Sequence, residues 1–240
     1  MLSEEQLNRY SRQAIMPEIN EEGQERLLSS KVTIIGAGGL GCPVGLYLSG
    51  AGIGKISIID DDIIELSNLN RQIAFSTNDI NKSKSAILKK NMFNLNPSIK
   101  IESKKERLNI ENINILLKGS DLVIDCSDNF ETRHLIASYC FNKNIPMSFG
   151  AAVRQEGQTA FFQAGGKNEF ENERNRRLPC YGCVFPIEPS NELMPRCSEA
   201  GILGPVTGLI ACIQSLNVIR YLTIQSVSKN LILWDGVSFF

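Results

Sequence analysis

A small set of glycines, cations and carboxylates is spaced in this chain as a phosphate-binding site would need them. Gly36, Gly38 and Gly41 fall at GxGxxG spacing, with Gly39 inside the motif. Glycine at such positions permits a tight turn, close approach of backbone to phosphate, and close packing of a helix on a strand. Asp60 follows nineteen residues after Gly41, with Asp62 two residues further on; an acid at that distance can hydrogen-bond a ribose hydroxyl. Asn68, Arg71 and Gln72 sit in the polar stretch that comes next, then Lys84, and Asp128 lies just beyond the apolar run DLVID. Together these point to a nucleotide site, but the glycines alone do not say which nucleotide.

Charge separates the two candidates. A dinucleotide pyrophosphate is largely served by the backbone turn, and hydride chemistry usually adds a histidine or lysine acid/base partner. A triphosphate with its metal needs cations over it. Here Arg71 and Lys84 follow the acidic strand end within one connection, and Asp128 can hold Mg²⁺ through one carboxylate. The only histidine, His134, falls inside a helical pattern and is expected to pack. The residues therefore lean to ATP. Each also has a plainer reading: Lys84 is one lysine in a lysine-rich helix, and Asp128 with Glu131 matches an N-cap and capping box.

These residues require an α/β scaffold. Apolar runs at 32–35, 56–59, 99–102, 121–125 and 145–149 read as strands, with helices expected over 40–50, 82–95, 110–117 and 130–141. The segment 157–163 reads as an antiparallel edge, 208–222 as a long helix and 231–234 as a last strand. The order predicts one domain over 1–240: a Rossmann-like sheet, mostly parallel with an antiparallel extension, and helices on both faces. Residues 1–30 form a polar helical arm with no evident place in the sheet. Residues 164–205, with Arg174, Arg176 and Arg177 and the CxxC pair Cys180 and Cys183, read as an exposed loop region.

Composition narrows the class. Of 240 residues, 25 are basic and 26 acidic, a net charge of −1, which implies no bulk attraction to nucleic acid or membrane. The first residues are polar and charged, unlike a signal peptide, and no apolar run is read as approaching the roughly 18 residues of a membrane span. Seven cysteines, an odd number, suit a reducing cytoplasm. Cys42, Cys126, Cys140 and Cys212 are expected in the core.

The motifs RYSRQ (9–13), GAGGLG (36–41), SNLNRQ (67–72), DCSDN (125–129), GQTAFF, CYGC and GILGPVTG together resemble the ThiF/MoeB/HesA family, relatives of the ubiquitin-activating enzymes, over nearly the whole length. The resemblance implies ATP- and Mg²⁺-dependent adenylation of the C-terminal Gly-Gly carboxylate of a small ubiquitin-fold sulfur carrier, for sulfur transfer toward thiamin or molybdopterin. A peptide or other carboxylate is the alternative substrate. It also implies a nucleotide-binding glycine at Gly39, a ribose-binding acid at Asp60, phosphate-binding residues at Asn68, Arg71 and Lys84, and a metal-holding Asp128. Arg12 matches an arginine that reaches into the ATP site of a partner subunit, which implies a homodimer and a role for the arm. Cys180 and Cys183 match half of a zinc site whose second CxxC is not found in the 240 residues, and Cys197 matches a cysteine that links covalently to the carrier in some relatives. A sulfurtransferase partner is also implied. Asn20 and Asn81 stand where relatives carry glycine, so a change in local loop shape is expected there.

Overall fold

The computed structural model describes residues 2–163, 179–186, 200–224, 226–228 and 230–237. Chain order is α1 (Glu4–Ala14), α2 (Asn20–Ser29), β1 (Lys31–Ile35), α3 (Gly41–Ala51), β2 (Lys55–Ile59), α4 (Lys84–Leu95), β3 (Lys100–Lys104), α5 (Ile113–Leu116), β4 (Leu122–Asp125), α6 (Phe130–Lys143), β5 (Met147–Val153), β6 (Glu156–Phe162), α7 (Tyr181–Val184), α8 (Gly204–Ile224) and β7 (Ile232–Asp235). The sheet order is β3-β2-β1-β4-β5-β6-β7. The first five are parallel and the last two join antiparallel, as the expected fold class requires. The chain reverses its direction across the sheet between β1 and β4, and in such sheets ligands bind outside the carboxyl ends of the strands at that point.

Alternation along the strands puts helices on both faces. Ile34, Ile58, Leu122 and Ile124 enter one core with Leu48 of α3, Leu88 and Met92 of α4, and Ile210 and Val218 of α8. Their neighbours Ile35, Ile59 and Val123 enter the other, with Leu117, Ile136 and Tyr181. This is the period-two pattern of strands buried on both sides.

Several expectations need correction. The segment 157–163 is no edge: β6 lies between β5 and β7, and β7 forms the rim. The helix expected over 110–117 shrinks to Ile113–Leu116, because Asn109 and Asn112 bond each other's turn, Asn109 Oδ1 accepting from Asn112 N at 3.0 Å and Asn112 Oδ1 from Asn109 N at 2.9 Å. Cys212 is exposed, whereas Cys42, Cys126 and Cys140 are buried as expected. One helix among the described residues, Gly204–Ile224, is long and apolar enough to cross a membrane by length and composition, contrary to the sequence reading. It packs against α2, α3, β5 and β6; Gln214 Nε2 donates to Asp125 O of β4 at 3.0 Å, and Ser215 Oγ donates to Ala211 O within the helix at 2.8 Å.

The arm is docked. Tyr10 is buried and its hydroxyl accepts from Asn96 Nδ2 at 2.8 Å. Gln13 Nε2 donates to Ala51 O at 3.0 Å, at the carboxyl end of α3. Gly52 there is left-handed (φ +87), and a Cβ on it would lie 2.6 Å from the Tyr10 ring. Asn20 and Asn81 adopt φ of 52° and 68°, so asparagine takes the left-handed conformation it tolerates best after glycine.

Candidate active site

The turn after β1 is closed on itself. Gly36 has φ +93, and a Cβ there would stand 2.6 Å from Cys126 O; a Cβ on Gly41 would stand 1.9 Å from Gly36 O. The turn thus presses against the exit of β4. Gly39 abuts Thr207 of α8, whose Cγ2 lies 3.0 Å from the ideal Cβ position, and Gly38 faces Gln72 Nε2 at 3.7 Å. No side chain caps the start of α3; Cys42 N donates to Gly38 O at 3.0 Å and Pro43 carries no N–H, which leaves the Gly41 N–H of the first turn to face an anion.

Asp60, at the tip of β2, is locked beside this turn. Its Oδ2 accepts from Ala37 N at 2.7 Å and its Oδ1 from Asp62 N at 2.9 Å. Burial pushes its carboxyl up to about 6, against the opposing pull of the Ala37 N–H and the Lys84 ammonium. Lys84 opens α4, capped by Ser83, where a cation opposes the helix dipole. The anion that offsets this is Asp62, whose Oδ2 lies 2.7 Å from Lys84 Nζ. Lys84 is buried and Asp62 is exposed, and the ammonium stays close enough to Asp60 to draw its carboxyl down.

The loop after β2 shapes itself with the same residues that the sequence singles out. Asn68 is buried and its Oδ1 accepts from Glu65 N at 3.0 Å. Arg71 Nη1 donates to Ser67 O at 3.0 Å and Asn70 Oδ1 at 2.9 Å. Gln72 is 3% exposed, and its Oε1 is buried without a hydrogen-bond partner. A buried orphan acceptor beside the glycine turn is costly unless a ligand serves it, so these residues fit a nucleotide.

Asp128 is exposed in the connection from β4 to α6. It does not cap α6: Asn129 is the N-cap, its Oδ1 accepting from Thr132 N at 2.9 Å. The one-residue shift leaves the Asp128 carboxylate uncommitted to the helix start. A single exposed carboxylate beside a phosphate site suits Mg²⁺, which keeps waters and takes its other ligands from the phosphates. The sequence reading missed the residues that hold this loop, Asp125, Arg133 and Gln214. Asp125, closing the apolar run DLVID, was the available signal, since charges are seldom buried unless paired; Arg133, among Glu131, Thr132 and His134, gave none.

Gly36, Gly38, Gly39, Gly41, Asp60, Asp62, Gln72, Lys84 and the 126–128 loop are therefore gathered at one place. Arg12 is not among them. It is exposed on α1, and α1 docks on the carboxyl end of α3, about 16 Å from the glycine turn by helix rise. Cys180 and Cys183 have their Sγ atoms 3.5 Å apart, but among the described residues no third His, Cys, Asp or Glu joins them. Two thiols supply only half of a structural zinc site. Cys197 and the three arginines at 174, 176 and 177 lie outside the described residues. His134 packs edge-on against Tyr181 at 5.2 Å.

The ThiF family matches residues 10–239. "Adenylyltransferase and sulfurtransferase MOCS3" of Dictyostelium discoideum is 40% identical over 240 residues, covering 99% of this chain and 54% of its own. "SAMP-activating enzyme E1" of Haloferax volcanii is 39% identical, with 90% and 76% covered. "Sulfur carrier protein adenylyltransferase" of Thermus thermophilus is 35% identical, with 98% and 85% covered. The chain thus spans about half the length of the MOCS3 relative and more of the other two. Among solved structures, PaaA superimposes with a TM-score of 0.79 at 24% identity, covering 100% of this chain and 73% of that one. E. coli MccB with ATP does so with a TM-score of 0.78 at 23% identity, covering 95% and 71%. At these identities the structures show the fold.

Proposed function

The chain belongs to the ThiF family, and on that premise we propose that it is an ATP-dependent adenylyltransferase. Its substrate is the C-terminal Gly-Gly carboxylate of a small ubiquitin-fold sulfur carrier; the relative named a sulfur carrier protein adenylyltransferase supports a carrier protein as substrate. The observation that carries the reading is the cluster at the glycine turn, where Asp60, the Lys84–Asp62 pair, Gln72 and the Asp128 loop gather at the uncapped start of α3.

The chemistry asks little of acid/base groups. A C-terminal carboxylate has a pKa near ~3.5, so the nucleophile is already ionised at neutral pH. It attacks the α-phosphorus of ATP, the bond to the β-phosphate bridge breaks, and pyrophosphate leaves. What the protein supplies is alignment and neutralisation of the departing charge. Lys84 and Arg71 supply cations from this subunit. Asp128 holds Mg²⁺, which neutralises phosphate charge when bound. Arg12 serves the site of a second copy, since it stands away from its own glycine turn; the active form is a homodimer. A separate sulfurtransferase then uses the acyl-adenylate, in a thiamin- or molybdopterin-type pathway. The described cysteines are free thiols, which supports a cytoplasmic setting.

Carrier-dependent exchange of labelled pyrophosphate into ATP tests the reading. Asp128→Ala and Arg71→Ala should each nearly abolish it, a loss on the order of 100-fold or more by analogy with lost oxyanion donors. Near-normal exchange by either refutes the role assigned to it. Exchange by the wild type with a peptide, and none with any Gly-Gly carrier, would move the substrate to another carboxylate.

A further inference from the structure

The connection that carries Asp128 is clamped from inside the protein. Asp125, the last residue of β4, is 0% exposed, and its carboxylate works within the loop. Its Oδ1 accepts from Ser127 N at 2.9 Å and from the Ser127 hydroxyl, and its Oδ2 accepts from Arg133 Nε at 3.0 Å. Arg133, 4% exposed, closes the ring by donating from Nη2 to Ser127 O at 2.8 Å. That carbonyl belongs to the peptide group leading into Asp128. The guanidinium lies 4.8 Å from the centre of the Phe149 ring and 5.5 Å from that of Phe130. Its charge is favoured by Asp125 and also by the side chain of Tyr181, the residue that follows Cys180 in the CxxC turn. Tyr181 is held in turn by Phe149 at 5.3 Å and Phe185 at 4.8 Å between ring centres.

Stability alone gives no reason for such an arrangement. Removing two charges from water costs several kcal/mol per ion, and well-packed apolar residues often do as well or better. What an arginine offers here is geometry: its planar fork addresses a carboxylate and a carbonyl at fixed angles, which a lysine cannot reproduce. The peptide before it, whose Ser127 N–H is held by Asp125, borders the glycine turn, since the ideal Cβ position of Gly36 lies 2.6 Å from Cys126 O and 3.3 Å from Ser127 N.

We propose that Arg133 is a positioning residue that sets the direction of Asp128 toward the metal-bound phosphates, and that Tyr181 ties this setting to the CxxC turn. The inference rests on the ATP reading above. Its test uses the full chain and measures ATP affinity by calorimetry, once in EDTA and once across a magnesium titration. Arg133→Lys should leave metal-free ATP binding unchanged and raise the magnesium needed for half-maximal enhancement about 10-fold, the usual scale for supporting partners of a metal ligand. Tyr181→Phe should shift it less, in the same direction. Combining Arg133→Lys with Asp128→Asn should add nothing to Asp128→Asn alone. A folded Arg133→Lys protein with wild-type magnesium dependence overturns the proposal, as does an equal loss of ATP binding with and without metal. If Arg133→Lys does not fold, Tyr181→Phe decides: wild-type magnesium dependence there overturns it. A wild type that binds no ATP in either condition overturns the ATP reading and this inference together. Normal ATP binding, a magnesium-insensitive Asp128→Asn and a silent Arg133→Lys overturn the inference alone.

Discussion

Replacing Asp60 with asparagine separates the energetic cost of this carboxylate from its use. Its carboxyl is raised from 3.8 to about 6, chiefly by burial. The folded protein therefore holds a proton there over a range in which the unfolded chain has released it. By linkage, the stability contributed is fully present below pH about 4 and is lost as pH rises through about 6, a change of about 3 kcal/mol. Asparagine does not titrate and removes that slope. It also creates a fault, because Oδ1 and Oδ2 each accept from a backbone N–H, of Asp62 and Ala37. Whichever way the amide turns, its NH₂ meets one of these donors, at a cost of about 1–3 kcal/mol. At pH 7 the relief and the fault nearly cancel, so the urea midpoint of Asp60→Asn should lie close to that of the wild type. At pH 4 only the fault remains, and the variant should be clearly less stable. Nucleotide affinity behaves differently. Charged hydrogen bonds to the ribose are worth about 1.5–3 kcal/mol, so ATP binding by calorimetry at pH 7 should weaken on the order of 10- to 100-fold. Wild-type affinity should likewise fall as pH drops below about 6. An unchanged stability slope between pH 4 and 6 in the variant would refute Asp60 as the titrating group, and unchanged ATP affinity would refute its ribose role.

Gly41→Ala places a Cβ 1.9 Å from the Gly36 carbonyl, where only backbone movement gives relief; a loss of about 1–3 kcal/mol or more in denaturant unfolding is expected, and a change under about 0.5 kcal/mol would show that the turn is looser than described. Tyr10→Phe removes the hydroxyl that accepts from Asn96 Nδ2 and should cost about 1 kcal/mol, read by the same unfolding curves; an unchanged midpoint would mean the arm is not anchored there. Arg12→Ala touches an exposed side chain and should leave stability unchanged while lowering pyrophosphate exchange. Mixing it with Asp128→Ala should then restore part of the exchange, because a mixed dimer contains one intact site; no recovery argues against a site shared between subunits.

What the residues alone determined was whatever depends on neighbours in the chain. Apolar runs marked the parallel strands because strands buried on both faces need continuous apolar sequence. The glycine spacing marked the turn because only glycine meets its steric demands, as Gly36 and Gly41 show, and Asp60 followed from its place at a strand tip. Tertiary structure decided whatever depends on residues distant in sequence. Lys84 finds its counter-charge in Asp62, 22 residues earlier. Asp125 is bonded by Gln214, 89 residues later. The polar arm gained a function as a support only when Tyr10 was found buried 86 residues from its partner Asn96. Periodicity and turn sterics are written locally, whereas the pairing of buried polar groups is settled by which surfaces meet when the sheet closes between its helices.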